Sequence, residues 1–156
     1  MKRIFNLLIL SLMLLFAACD DKIETNIPAL PVNAINLDGT WELTRWNEAP
    51  LADSTYVYVV LSRKGQTFRI YENMASMYPR LVTGKFELKN DYKIGDIISG
   101  SYDYEGGVWN HEYLITNLYE ECMTWTATDD AADVQQFVRV AEVPSYIVES
   151  VREVEK

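Results

Sequence analysis

From Leu37 onward, apolar and polar residues alternate in short runs that are separated by turn signals. Period-two alternation of this kind is the mark of half-buried strands. It predicts eight of them: Thr40–Trp46, Tyr56–Leu61, Thr67–Tyr71, Val82–Lys89, Ile97–Tyr104, His111–Asn117, Cys122–Thr128 and Val134–Val140. Arg63-Lys64-Gly65-Gln66 reads as a tight hairpin turn. Asn90-Asp91 with Gly95 separates the fourth strand from the fifth, and Gly106-Gly107 the fifth from the sixth. Short connections favour pairing between strands adjacent in sequence. Eight strands are enough to close a small barrel and leave no edge. The expected fold is all-β, an eight-stranded antiparallel up-and-down barrel over residues 37–141.

The alternation also assigns faces. Phe86 and Leu88 alternate with Lys85, Glu87 and Lys89, so the first pair faces inward. Met123, Trp125 and Ala127 likewise oppose Thr124, Thr126 and Thr128, and Tyr102, Tyr104 and Phe137 are assigned to the interior. Tyr56–Leu61 is apolar on both faces, which leaves two readings: an exposed apolar stripe, or cover by the tail. That tail, residues 142–156, has Ile147, Val148, Val151 and Val154 at helical spacing after Pro144, with Glu149 and Arg152 as a neighbouring pair. It predicts a short helix that depends on packing against the barrel.

The amino-terminal end changes the picture. Lys2 and Arg3 precede an apolar run, Ile4 to Phe16, interrupted by Asn6 and Ser11. A membrane span needs roughly twenty residues, so this shorter run with a positive start reads as a secretory leader. The residues that close it, Phe16-Ala17-Ala18-Cys19, resemble a bacterial lipobox. That resemblance implies cleavage after residue 18 and lipid on Cys19; Phe16 stands where the pattern favours leucine. Two or more acyl chains anchor stably, so the implied partner is a membrane. An uncleaved helical anchor, or an ordinary leader beside a coincidental Cys19, is the alternative.

Cleavage after residue 18 removes Lys2 and Arg3 and takes the net charge from −9 to −11. Such acidity argues against nucleic acid and anionic lipid as recognised partners, since both repel it. If Cys19 carries lipid, no internal disulfide is possible, and Cys122 reads as a small buried hydrophobe. Asp20 to Asn36 is polar, with Pro28 and Pro31. It reads as a flexible tether (residues 19–36, counting the lipidated cysteine) that reaches roughly 55 Å when extended. Asp20-Asp21 with Glu24 resembles acidic export tags that send lipoproteins to the outer surface. The same acidity retains other lipoproteins at the inner membrane. The expected location is the bacterial outer membrane, with surface display left open.

Leu37-Asp38-Gly39-Thr40-Trp41-Glu42-Leu43 resembles the Gly-x-Trp opening of lipocalin-like barrels. The resemblance covers about Leu37 to Val140, and its motifs are short. It implies that Trp41 plugs a closed end and that Arg139 lies against it. Barrel geometry supports the same pair, because the first strand starts where the last one finishes. A guanidinium over an indole face contributes about 0.5–2 kcal/mol, a structural role.

Connections after odd strands gather at the opposite end: Asn47–Thr55, Glu72–Leu81, Glu105–Asn110 and Asp129–Asp133. In a lipocalin-like barrel this is the mouth. It carries Leu51, Met74, Met77, Tyr78, Pro79, Trp109 and His111. Methionine adapts to varied apolar shapes, and barrel mouths are common ligand sites. Met74, Met77, Tyr78, Trp109 and His111 are therefore the candidate ligand-binding residues. The bland alternative is that they fold inward and cap a barrel filled by its own side chains.

Catalytic chemistry finds little to stand on. His111 is the one histidine, and no serine or cysteine motif accompanies it. Asp129-Asp130 with Asp133 does not fit a calcium loop and reads as a solvated turn. No catalytic residue, metal site or cofactor is expected. The function expected from the sequence is non-enzymatic binding of a small apolar or amphipathic ligand by an envelope lipoprotein. The alternative is a protein-interaction subunit or inhibitor in an envelope complex.

Overall fold

The structure is a computed structural model that describes residues 28–74, 78–104 and 106–153. Residues 1–18, expected as a leader, lie outside the described residues, as do Cys19, Met77 and Val154.

Gly39–Trp46 (β1) is followed by the two-residue β2 (Ala49–Pro50), which folds back on it. Val57–Ser62 (β3), Thr67–Glu72 (β4), Arg80–Asp91 (β5), Gly95–Tyr102 (β6), Tyr113–Thr116 (β7), Cys122–Ala127 (β8) and Val134–Val140 (β9) then run as antiparallel neighbours. β9 returns to β1, with Trp41 paired to Arg139, and β5 joins β6. The sheet therefore closes into an eight-stranded antiparallel barrel. All eight expected strands are present. β5 is the longest, because it pairs with β4 through residues 80–85 and with β6 through residues 84–91.

The alternation works as read. Phe86, Met123, Trp125, Ala127 and Phe137 are buried, and Tyr102 and Tyr104 pack against the same core. Cys122 is also buried, but it is disulfide-bonded, which corrects the expectation that no internal disulfide forms. One closed end is sealed by Trp41, which is 0% exposed and donates from its indole nitrogen to the Leu37 carbonyl at 2.9 Å. Arg139 stands over the Trp41 ring at 4.1 Å and donates to the carbonyls of Asn36, Asp38 and Glu120. Gly39 makes room for it: the residue has φ +137°, and a Cβ there would sit 2.5 Å from the Arg139 Nη1. The Gly-x-Trp spacing thus leaves the guanidinium space to reach the ring.

Two expectations need correction. Of the stretch expected as a tether, residues 28–36 belong to the barrel. Leu30, Val32 and Ala34 pack on the core, and the Leu30 N–H donates to the Leu118 carbonyl at 2.7 Å. Ala34–Leu37 (α1) forms one helical turn, with the Asn33 side chain accepting from the N–H groups of Ile35 and Asn36. The physical reason is the open bottom of the barrel, whose apolar lining needs a cover that no strand supplies.

The tail is the second case. Its helix, Ser145–Ser150 (α2), ends before Val151, and Arg152–Glu153 (β10) pairs in parallel with Arg80 and Leu81 of β5. Arg152 is therefore in a strand, outside the helix expected to include it. β5 has a vacant edge at Arg80 and Leu81, where β6 has not yet begun to pair, and β-branched Val151 suits an extended path. The helix covers the outer side of β3 and β4: Ile147 is 1% exposed against Tyr58 and Tyr71. That cover explains why β3 is apolar on both faces.

Candidate functional site at the barrel mouth

The four connections that follow β1, β4, β6 and β8 meet at the end opposite Trp41, and hydrogen bonds tie them in pairs. Asn47 and Val134 exchange bonds at 2.8 and 3.0 Å. Asn73 bonds to Tyr56 and Ser54, and the Thr128 N–H donates to the Glu112 carbonyl at 2.9 Å. β6 and β7 pair only at Ile97–Leu114 and Ile98–Tyr113. The wedge above them is filled by the segment after β6, which turns at Gly106 (φ +62°) and runs back along the strand. The Tyr102 N–H donates to Gly107, and the Trp109 N–H donates to Gly100 at 2.9 Å.

This return path sends the Trp109 side chain inward. Its ring lies 5.0 Å from Phe68, 5.7 Å from Trp125 and 6.3 Å from Tyr113. Gly100 permits the approach, since a Cβ there would fall 2.1 Å from the Trp109 ring. The upper interior is therefore packed with aromatic rings. Among the described residues the indole N–H groups of Trp109 and Trp125 are buried without a hydrogen-bond partner. Close by, Asp133 is 8% exposed and accepts from Trp46 at 2.6 Å, Tyr113 at 3.3 Å and Gln135 at 3.3 Å. Burial, aided by the Asp133 charge, pushes the Tyr113 hydroxyl up to about 12.

A cavity of about 440 Å³ opens outside the barrel wall, beside this packed region. One side is the outward face of β5 and β6, with Glu87, Ser99 and Ser101; the other is the segment from Val108 to Glu112. Val108 and Trp109 supply an apolar wall, while Glu87, Glu112 and Asp129 make its polar side acidic. His111 is also there, its Nδ1 2.7 Å from Asp129 Oδ1. The hydrogen bond to Asp129 raises the His111 pKa above its ordinary value, and the same bond holds the Asp129 carboxyl below its own. Both groups face solvent.

Of the candidate ligand-binding residues, the cavity brings together Trp109 and His111. Met74 and Tyr78 stand apart on the β4–β5 connection, 40% and 62% exposed, and do not line it. Met77 lies outside the described residues. The residues that sequence reasoning missed are Glu87, Ser99, Ser101, Glu112 and Thr128, which alternation marks only as outward-facing. The solvated turn expected at Asp129–Asp133 is solvated in part: Asp129 turns to His111, whereas Asp133 points into the buried network. Among the described residues no group of three His, Cys, Asp or Glu side chains is placed to hold a metal ion.

Comparison of the chain with family models, with curated proteins and with solved structures gives no match.

Proposed function

We propose that this chain is a lipid-anchored envelope lipoprotein whose lipocalin-like barrel binds a small amphipathic ligand without transforming it. The cavity beside the mouth is the observation that carries the reading. Its size suits a small molecule, and it sets an apolar wall, Val108 and Trp109, against three carboxylates. A ligand with an apolar body and a cationic or hydrogen-bond-donating head matches both sides. Trp109, whose buried indole N–H has no partner among the described residues, stands at the wall of this cavity.

Binding without chemistry is supported by the setting of His111. Its Nδ1 is held by the Asp129 carboxylate at 2.7 Å on a solvent-facing rim. Among the described residues no serine hydroxyl is joined to it. The lipid anchor rests on Phe16-Ala17-Ala18-Cys19 and requires the Cys19 sulfur for a thioether rather than for a disulfide with Cys122, the other cysteine of the chain; an outer-membrane location rests on the acidic residues that follow.

The test is native mass spectrometry of the protein purified gently from its host, followed by its denatured mass. A retained small molecule that is lost on denaturation supports the carrier. A bare protein mass, with capture of a defined protein by the mouth loops, favours the interaction module. That second reading draws on the exposed Met74, Tyr78 and Val108 around the mouth.

A further inference from the structure

The floor of the cavity has a simple cause in the sequence. Ser99, Gly100 and Ser101 are small residues in a row on β6. The segment that follows the strand turns back beside them, with Ser101 bridged to Val108 and the Trp109 N–H donating to the Gly100 carbonyl at 2.9 Å. Glu87 lies across from Ser99 in the β5–β6 register and sets a carboxylate on one side. Asn110, His111 and Glu112 follow Trp109 on the other side, and the Thr128 N–H joins them by its bond to the Glu112 carbonyl.

Most of this lining is hydrogen-bonding rather than apolar, and most of it is uncommitted. Among the described residues the side chains of Glu87, Ser99, Ser101, Asn110, Glu112 and Thr128 make no hydrogen bond or ion pair within the protein. His111 and Asp129 are already joined, at 2.7 Å. Val108, 66% exposed, and Trp109 are the apolar part. Lys85 and Lys89 share the outward face of β5 with Glu87, but neither lines the cavity.

A lone ammonium head leaves most of such a wall unused, because it donates from a single point. Here the acceptors stand on both sides, with the serine hydroxyls between them. Ionised carboxylates only accept, whereas hydroxyls and the Asn110 amide both donate and accept. The matching head therefore carries several hydroxyl groups spread around a ring, together with a cation.

We infer that the head of the ligand is a sugar ring, and specifically an amino sugar. Its hydroxyls are shared among Glu87, Ser99, Ser101 and Asn110, its ammonium meets the carboxylates of Glu112 and Asp129, and its apolar chain lies along Val108 and Trp109. The inference deepens the reading of this cavity as the ligand site and rests on it. A pyranose presents hydroxyls around its edge and C–H groups on its faces, so it reaches acceptors on two sides while lying against a floor of small residues. Hydrogen bonds to an ionised acceptor are stronger than neutral ones. A site that bonds hydroxyls also discriminates against an analogue without them, whose binding leaves its polar groups unpaired.

Titration calorimetry on the full chain compares octyl glucosaminide with octylammonium, both below their micelle concentrations. The two probes share a tail and a primary ammonium and differ by the hydroxylated ring. The glucosaminide is expected to bind about tenfold more tightly, as net hydrogen bonds of this kind allow. Ser99→Ala with Ser101→Ala should remove most of that advantage, with far-ultraviolet circular dichroism showing that the barrel is intact. Equal affinity for the two probes in the unsubstituted protein, or an advantage that the double substitution does not touch, would overturn the sugar head while leaving the cavity a ligand site. Binding of neither probe overturns the ligand reading of the cavity, and the sugar head with it.

Discussion

Arg139 donates to three main-chain carbonyls and covers an indole ring, so one side chain joins the last strand, the segment before β1 and the β7–β8 connection. Hydrogen bonds to a charged group contribute about 1.5–3 kcal/mol each when buried, less for the more exposed one. Arg139→Ala should lower the unfolding free energy by about 3 kcal/mol in urea denaturation. Arg139→Lys should recover less than half of it, because an ammonium cannot match a planar fork. A loss below about 1 kcal/mol would mean that the pair is peripheral. His111 allows a second prediction. Its raised pKa means that the bond to Asp129 contributes fully below the ordinary 6.5 and is lost as pH rises through the raised value. The lowered pKa of Asp129 means that the contribution is present above the ordinary 3.8 and lost as pH falls through the lowered value. The pair therefore holds between those limits. The His111 ring protons should titrate by NMR with a midpoint above 6.5, and Asp129→Asn should bring the midpoint down; an unmoved midpoint would show that the contact does not persist in solution. Trp41 and Arg139 were legible because strand parity brings them to one end of neighbouring strands. Asp133 was not, since its three donors come from β1, β7 and β9 and no local pattern announces them.

Strands and their faces were the readable elements, because alternation is a local property and eight segments display it. The pieces that cover the barrel were harder. Leu30, Val32, Ala34 and Leu37 have no single period, since they follow an irregular path across the closed end and end in one turn of helix. The tail combined helical spacing with β-branched residues, and the vacant edge of β5 decided where helix gave way to strand. α2 is too short to persist without packing, so Ile147 is its holdfast. Ile147→Ala should cost about 2–4 kcal/mol and raise binding of a hydrophobic dye as Tyr58 and Tyr71 lose their cover. Unchanged stability would mean that β10 alone holds the tail. The segment after β6 is held by a close contact, and Gly100→Ala should disturb it. The added methyl collides with the buried Trp109 ring, and overpacking of this kind costs about 1–3 kcal/mol. Loss of near-ultraviolet circular dichroism with the far-ultraviolet signal kept would locate the damage in the aromatic stack.

At the scale of the whole molecule, a closed barrel has an inside and an outside, and the cavity lies on the outside. That is why the candidate site was only half legible. A reading that assumes ligands enter the barrel selects Trp109, which in fact fills the interior and shows one edge to the cavity wall. It passes over Glu87, Ser99 and Ser101, whose outward parity assigns them to solvent until the 108–112 segment folds across them. The assembled surface has a charge logic that no single strand reveals. Glu87, Glu112 and Asp129 line the cavity, and Glu48, Asp53, Asp103 and Asp130 are exposed around the mouth, so the local potential is negative even with His111 protonated. A cationic amphiphile should bind more tightly than an anionic one with the same tail, and the preference should shrink as salt rises, because Debye screening falls to about 3 Å at 1 M. Titration calorimetry with alkyltrimethylammonium and alkyl sulfate probes below their micelle concentrations reads both effects. Glu112→Gln with Glu87→Gln should reduce the preference and leave the tail's contribution in place. Equal affinity for the two probes, or a preference that salt does not touch, would mean that the acidic rim serves solubility and that recognition at this cavity is by shape alone.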